Sequence, residues 1–458
     1  MSQLFKTIVA PVESLWRTGT SQIDDWFLKE THRFTITGLS RSGKSMLFTS
    51  LMTILKYRSE EKYNCLPLLK RLPVELVESM WLEPIKDFPL FPIEQHIAAL
   101  ESGNWPHPTE ELYGFKLVIR LKQTNRFTKF VLPHKDVVFE FIDYPGEWIT
   151  DLPMLSKSYA QWSDSAWAQQ MSEPQNSFAE DWHEFVRHFD FDSEPTPQRI
   201  TDVVTAYRGY LHNAKTNGIS MIQPGSFLIS GSGFDSQQSG FAPLPSKITS
   251  DVSHPWYQVF NKHYNHFANS WLAPLKASTF KETDKQIILI DLFEGLNHSK
   301  QHLYQLKETL SHLAETFVYG NPSWFEKNVL RKNEIGRVAF VATKADLVPQ
   351  SQKANLLSLL RQVSEGATAK FKDKPVVFEH FLVSAIQATD PGTQPNSLRY
   401  TNAEGQYMQA SFEDLPANLK DMAADEHFPV LPAQVPADYL PRMLNGRGLD
   451  RLFQFLLG

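Results

Sequence analysis

Apolar and polar positions follow two rhythms along this chain. Five short, nearly continuous apolar runs fall at Arg33 to Thr37, Val137 to Ile142, Gln286 to Ile290, Arg337 to Val341 and Val376 to Val383. Each is closed by glycine or polar residues. Runs of this kind suit strands buried on both faces of a mostly parallel sheet. Phe115 to Leu121 and Phe127 to Leu132, separated by a polar Gln-Thr-Asn turn, read as a hairpin. Apolar residues three and four apart predict helices over Met46 to Arg58, Leu303 to Phe317, Lys353 to Glu365 and Leu449 to Leu457. Strands that alternate with helices predict an α/β doubly wound core.

Three stretches interrupt this rhythm and set the expected organisation. Residues 1–30 form an N-terminal helical segment: Leu4, Ile8, Val12, Leu15 and Trp16 make a stripe that Pro11 breaks. The first part of the core covers 31–146 and includes a Pro-, Leu- and Trp-rich insertion at 63–113. A mainly helical, aromatic insertion covers 147–284, with Trp162, Trp167 and Trp182 within it. The second part of the core covers 285–389, a loop-rich insertion covers 390–442, and a core helix closes the chain at 443–458.

Composition narrows the function classes. A 42% hydrophobic and 21% charged chain is that of a soluble globular protein. The 32 Phe and 11 Trp point to aromatic packing between helices rather than base stacking. A net charge of -6 argues against sequence-independent nucleic-acid binding. Cys65 is the only cysteine, which suits a reducing cytoplasm. No signal peptide and no apolar run of roughly 20 residues is evident, so membrane contact would be peripheral.

The chemistry begins at Gly38-Leu-Ser-Arg-Ser-Gly43-Lys44-Ser45, which matches G-x4-G-K-[ST] between a strand and a helix. In such a loop backbone N–H groups wrap phosphates, Lys44 neutralises their oxygens and the Ser45 hydroxyl ligates Mg²⁺. A D-x-x-G follows strand Val137 to Ile142 as Asp143-Tyr-Pro-Gly146; there an Asp holds Mg²⁺ through water and the Gly N–H senses a γ-phosphate. Thr343-Lys344-Ala345-Asp346 resembles the guanine motif N-K-x-D, with Thr in place of Asn. The Asp346 carboxylate can accept from the guanine N1–H and N2–H₂, which adenine does not offer, and the Lys344 stem can lie along the purine. Ser384-Ala385-Ile386 resembles the loop whose Ala N–H meets guanine O6.

The order of these motifs resembles a Ras-like GTPase core, and the whole chain resembles the YcjX family of bacterial P-loop proteins. Ser14-Leu-Trp-Arg-Thr-Gly, the phosphate loop, Phe141-Ile-Asp-Tyr-Pro-Gly-Glu-Trp and Thr343-Lys-Ala-Asp carry that likeness. The resemblance implies a cytoplasmic GTPase of the envelope-stress response, working near the inner membrane with a membrane-protein partner. Its ligands would be GTP, GDP and Mg²⁺.

The expected nucleotide contacts are Gly38, Ser40, Arg41, Ser42, Gly43, Lys44, Ser45 and Met46, then Gly146, Thr343, Lys344, Asp346, Ser384, Ala385 and Ile386. Ser45, Asp143 and Thr109 are the expected Mg²⁺ ligands. Thr109 is chosen as the switch I threonine because it precedes Phe115, and a helix N-cap is its alternative reading. Arg41, Lys44 and Glu147 are the catalytic candidates. Arg41 occupies the slot of the arginine finger in guanylate-binding proteins, whose loops resemble Gly-Leu-x-Arg-x-Gly-Lys-Ser. Glu147 stands where Ras-like enzymes carry Gln; its carboxylate can accept from water but repels a γ-phosphate at short range. His298 and His302 share one helical face by spacing, without a third zinc ligand. Asp291 and Glu294, after the run Gln286 to Ile290, can lie near the nucleotide, although such positions more often shape a sheet edge, and neither carries an assigned role. Two rivals remain: a nucleotide-loaded scaffold with negligible hydrolysis, and an ATP-using P-loop enzyme.

Overall fold

The computed structural model describes residues 31–39, 41–56, 77–86, 89–107, 113–122, 134–219, 222–229, 239–275, 283, 285–317, 335–370, 372, 376–424 and 426–457. The expectations for 1–30, Ser40, Cys65, Thr109 and Phe127 to Leu132 lie outside them.

Among the described residues one sheet holds seven strands, β1 (Thr31–Gly38), β2 (Val77–Glu83), β3 (Tyr113–Lys122), β4 (His134–Asp143), β5 (Lys285–Ile290), β6 (Arg337–Ala342) and β7 (Val377–Leu382). Their spatial order is β2-β3-β4-β1-β5-β6-β7. The five apolar runs are β1, β4, β5, β6 and β7, all parallel to their neighbours in this set. β3 is antiparallel to both β2 and β4. Among the described residues the antiparallel partners of β3 are thus β2 and β4, and the run Phe127 to Leu132 expected to pair with it lies outside them. The result is a mixed, parallel-rich α/β sheet, consistent with a P-loop NTPase-like fold.

Helices cover both faces because both faces of the central strands are apolar. On one face α1 (Lys44–Lys56) and the C-terminal helix Leu449–Leu457 pack over Phe34, Ile36, Phe115 and Phe141. The rings of Phe34 and Phe115 stack on Phe141 at 4.8 and 4.9 Å. On the other face Leu292–His298, Lys300–Phe317 and Lys353–Val363 cover Ile288, Ile290 and Phe340. The third of these helices ends two residues before the expected Glu365, and a separate turn of helix comes after it. His298 and His302 do not share a helix, since Ser299 between them is extended; their rings stack at 4.7 Å instead.

The chain between β4 and β5 forms a helical layer with its own aromatic core. It begins with α2 (Gly146–Asp151), continues through α3 (Tyr159–Gln170) and α4 (Glu180–His188), and includes the 20-residue α5 (Pro197–Thr216) and α6 (Pro255–Phe267). Trp162, Trp182, Trp256, Tyr159, Tyr207 and Tyr264 are fully buried there. Burying a phenol requires a partner for its hydroxyl. Tyr159 donates to Ala242 O, Tyr264 to Met154 O and Tyr207 to Gln223 O, at 2.6–2.8 Å. Residues 389–411 add a small antiparallel sheet of three strands, secured by Arg442, whose guanidinium forks onto Asp390. Among the described residues no helix is long and apolar enough to cross a membrane.

Candidate functional site

The sequence motifs converge because they all leave the carboxyl ends of adjacent parallel strands, where open α/β sheets bind their ligands. The loop after β1 passes directly into α1. Gly38 accepts no larger residue: a Cβ there would lie 2.5 Å from Ser42 Oγ and 2.7 Å from Leu289 O. The loop then turns through two left-handed residues, Arg41 (φ 61°) and Gly43 (φ 83°). Glycine tolerates that region, whereas a non-glycine residue is held there by its surroundings.

Lys44 is buried and donates to the carbonyls of Gly38 and Leu39, both at 2.9 Å. Burial lowers its pKa, opposed by the charges of Asp143 and Glu147 and reinforced by Lys215. Asp143 ends β4 fully buried, in register with Ile36 of β1. Its charge acts on Lys44, the residue that precedes Ser45 at the start of α1. Ser45 and Asp143 offer hard oxygen donors of the kind Mg²⁺ takes.

Thr343 and Lys344 come directly after β6. Thr343 is buried against the phosphate loop: a Cβ on Gly43 would lie 3.5 Å from its side chain. Its hydroxyl makes no hydrogen bond among the described residues, so there the side chain meets the loop by packing. Lys344 is left-handed (φ 56°) and reaches 2.6 Å to Asp291 Oδ2. Asp291 also caps the next helix by accepting from Phe293 N at 3.0 Å. It therefore belongs to the site and not to a sheet edge, since β5 is central. Asp346 accepts from Ala388 N at 2.9 Å. Burial raises its pKa, while that bond and the Ser384 hydroxyl oppose the shift.

The Ser384-Ala385-Ile386 loop is braced from the C-terminal side. Ser384 N donates to Arg447 O at 3.0 Å. Gly448, at φ 89°, lets the chain pass where a Cβ would fall 2.3 Å from Leu382 O.

A cavity of about 420 Å³ runs between these loops, within the range of small-molecule sites. At one end it meets Arg41 to Leu47 and Glu147; at the other, Thr343, Lys344, Asp346, Ala385 and Ile386. Gly38, Asp143 and Ser384 lie outside its lining, and Gly146 lines a narrow adjoining cleft with Arg41, Glu147, Lys215 and Glu294. In that cleft Glu147 pairs with Lys215. Burial pushes the Glu147 carboxyl up, but Lys215 and Lys44 outweigh it and hold the pKa below its ordinary value. Glu294 behaves oppositely: burial and Asp291 raise it to about 7 against Arg41, Lys344 and Lys215.

Sequence reasoning missed one wall of this cavity. Trp105 and Pro106 form it with Val430, Leu431 and Ala433. The Trp105 indole donates to Ala433 O at 3.0 Å. The 428–434 strap is pinned by Phe428 N to Leu296 O at 2.7 Å and by Gln434 N to Thr401 O at 2.9 Å.

Residues 32–458 match the family model described as YcjX-like family, DUF463. A protein of Escherichia coli (strain K12) named Ras-like GTPase YcjX is 29% identical over 376 residues, 79% of each chain. A Shewanella oneidensis protein of the same name is 24% identical over 463 aligned positions, 93% of this chain and 94% of its own.

Proposed function

The chain belongs to the YcjX-like family, and from that premise we propose that it is a Mg²⁺-dependent GTP-binding protein that hydrolyses GTP to GDP as a slow switch. The observation that carries this reading is the 420 Å³ cavity, which joins the Lys44 loop to Asp346 and Ala385. Phosphates at the α1 N-terminus would replace the Gly38 and Leu39 carbonyls as partners of Lys44. Ser45 and Asp143 would hold Mg²⁺, the latter through water, and the ion would offset phosphate charge. Thr109 completes that set in the proposal. The strand order supports a Ras-like core carrying the helical layer and the 390–442 region as insertions. An envelope-stress role beside an inner-membrane partner is part of the same reading and rests on the family resemblance.

Equilibrium binding of GTP, GDP and ATP, with single-turnover hydrolysis, tests the proposal. Guanine nucleotides should bind at least about 100-fold more tightly than ATP, because a buried carboxylate facing adenine would lose its partners. Equal affinity for ATP would favour the ATP-using alternative. Tight GTP binding with no turnover would favour a scaffold, a reading that the absence of Gln at Glu147 supports.

The Trp105 wall yields a second expectation. An aromatic face beside the nucleotide should slow its departure, since truncating such contacts acts mainly on dissociation. Trp105→Ala should release fluorescent GDP about five- to tenfold faster in stopped flow. Release at the wild-type rate would exclude nucleotide contact by this wall.

A further inference from the structure

A carboxylate at position 147 presents an electrostatic difficulty for any triphosphate. Glu147 sits in the first turn of α2, immediately after the D-x-x-G, and lines the phosphate end of the cavity. Its side chain is only 11% exposed, so water screens it weakly. Its charge is felt at Lys44, the residue that meets the phosphates in the proposed function. A γ-phosphate entering there would face a standing negative charge.

The partner that answers this charge comes from a distant part of the chain. Lys215 lies in the last turn of α5 and pairs with Glu147. Its position is fixed by the residues at the C-terminal end of that helix. Asn217 O accepts from His302 at 3.2 Å, and Gly218 turns at φ 79° so closely that a Cβ would lie 2.6 Å from the His298 ring. The helical layer thereby anchors on the two helices behind β5 and holds Lys215 at the mouth of the phosphate site. Arg41 and Glu294 share the cleft, and the Arg41 charge lowers a Glu294 pKa that burial raises to about 7. Lys215 is the cation that pairs directly with Glu147, whose pKa the charges of Lys215 and Lys44 both lower.

We propose that Lys215 is a positioning residue that sets the selectivity of this site for a nucleoside triphosphate over a diphosphate, by neutralising Glu147 beside the γ-phosphate. The inference rests on the nucleotide reading above. A diphosphate lacks the γ oxygens and stays farther from Glu147, so loss of Lys215 penalises the triphosphate selectively. Like charges a few ångströms apart in a partly buried site correspond to about a 10- to 100-fold change in affinity.

The test is competition binding of GDP and guanosine 5′-(β,γ-imido)triphosphate to the full chain with Mg²⁺. Lys215→Ala should lower triphosphate affinity about 10- to 100-fold and change GDP affinity less than about threefold. Adding Glu147→Gln to that variant should restore the wild-type ratio to within about threefold. Glu147→Gln alone keeps the side-chain size and should raise the ratio severalfold, giving a readout independent of how well Lys215→Ala folds. Parallel loss of both nucleotides, without rescue, would make Lys215 a structural residue and overturn the inference. A wild-type ratio in both Lys215→Ala and Glu147→Gln would overturn it as well. Wild type that binds neither nucleotide would instead overturn the nucleotide reading, and this inference with it.

Discussion

Arg41→Ala should slow single-turnover GTP hydrolysis by a factor of about 10³ while GTP and GDP affinities change less than about threefold. The expectation comes from where the backbone holds this residue. Arg41 lies at φ 61°, a conformation that disfavours a side chain with a Cβ and costs about 1 kcal/mol or more. The neighbouring loop residues explain why it persists: Ser42 N closes a turn on Leu39 O at 3.2 Å, and Gly43 continues left-handed. That geometry leaves the Arg41 side chain exposed on the border between the main cavity and the cleft of Glu147 and Glu294. A guanidinium there can fold over a γ-phosphate, stabilising charge that develops only during transfer. Because it acts on the transition state, its loss should appear in the rate constant and not in ground-state binding. Arg41→Lys should recover part of the rate, since an ammonium keeps the charge but loses the planar fork. Rapid-quench measurement of one turnover decides the matter; a wild-type rate in Arg41→Ala would remove the residue from catalysis.

The parts of this site that are legible in sequence are those in which chemistry and chain order coincide. β1, β4, β5 and β6 are visible because strands inside the sheet are rich in apolar residues; β5, Lys-Gln-Ile-Ile-Leu-Ile, is buried throughout, whereas β7, at the other edge, shows only through its Val, Phe and Leu positions. The residues at their carboxyl ends come within a few positions, so each motif can be located by its strand. β2 escapes notice because Val-Glu-Ser-Met-Trp-Leu-Glu is a half-exposed edge strand without an apolar run. The cavity wall of Trp105 and Val430 to Ala433 escapes for a different reason. Its contacts join positions 328 residues apart, and Pro-rich aliphatic segments carry no periodicity that announces a ligand. Lys215 is a third kind of omission. An ion pair across 68 residues leaves no spacing signal, although Glu147 itself stands out from its slot. Repulsion between Glu147 and a γ-phosphate is sound physics, but Lys215 adds the opposing charge that spacing does not reveal.

Asp346→Asn should invert base choice, weakening GTP by about 100-fold or more and making xanthosine triphosphate the tighter ligand. The carboxylate is set for this by its fixed orientation. Ala388 N holds one oxygen at 2.9 Å, and Asp346 O accepts from Thr389 Oγ1 at 2.5 Å, so the side chain and its backbone are tied to the same loop. Asp346 also lines the cavity beside Ala385, whose N–H is the expected partner of the base oxygen. An ionised carboxylate accepts from both N1–H and N2–H₂ of guanine. An amide offers one oxygen and one NH₂, and the NH₂ would face the guanine donors with nothing to accept. Xanthine carries a carbonyl at C2 and so complements the amide. The substitution is isosteric and retains an acceptor for Ala388 N, so the loop should keep its shape and the melting temperature should shift little. Thr343 does not alter this expectation. It lines the cavity and packs against Gly43, so its substitution for Asn bears on how the loops are joined and on affinity. Competition between the two triphosphates, in wild type and Asp346→Asn, measures the inversion directly. Unchanged preference would place the base elsewhere in the cavity and return the ATP-using alternative to first place.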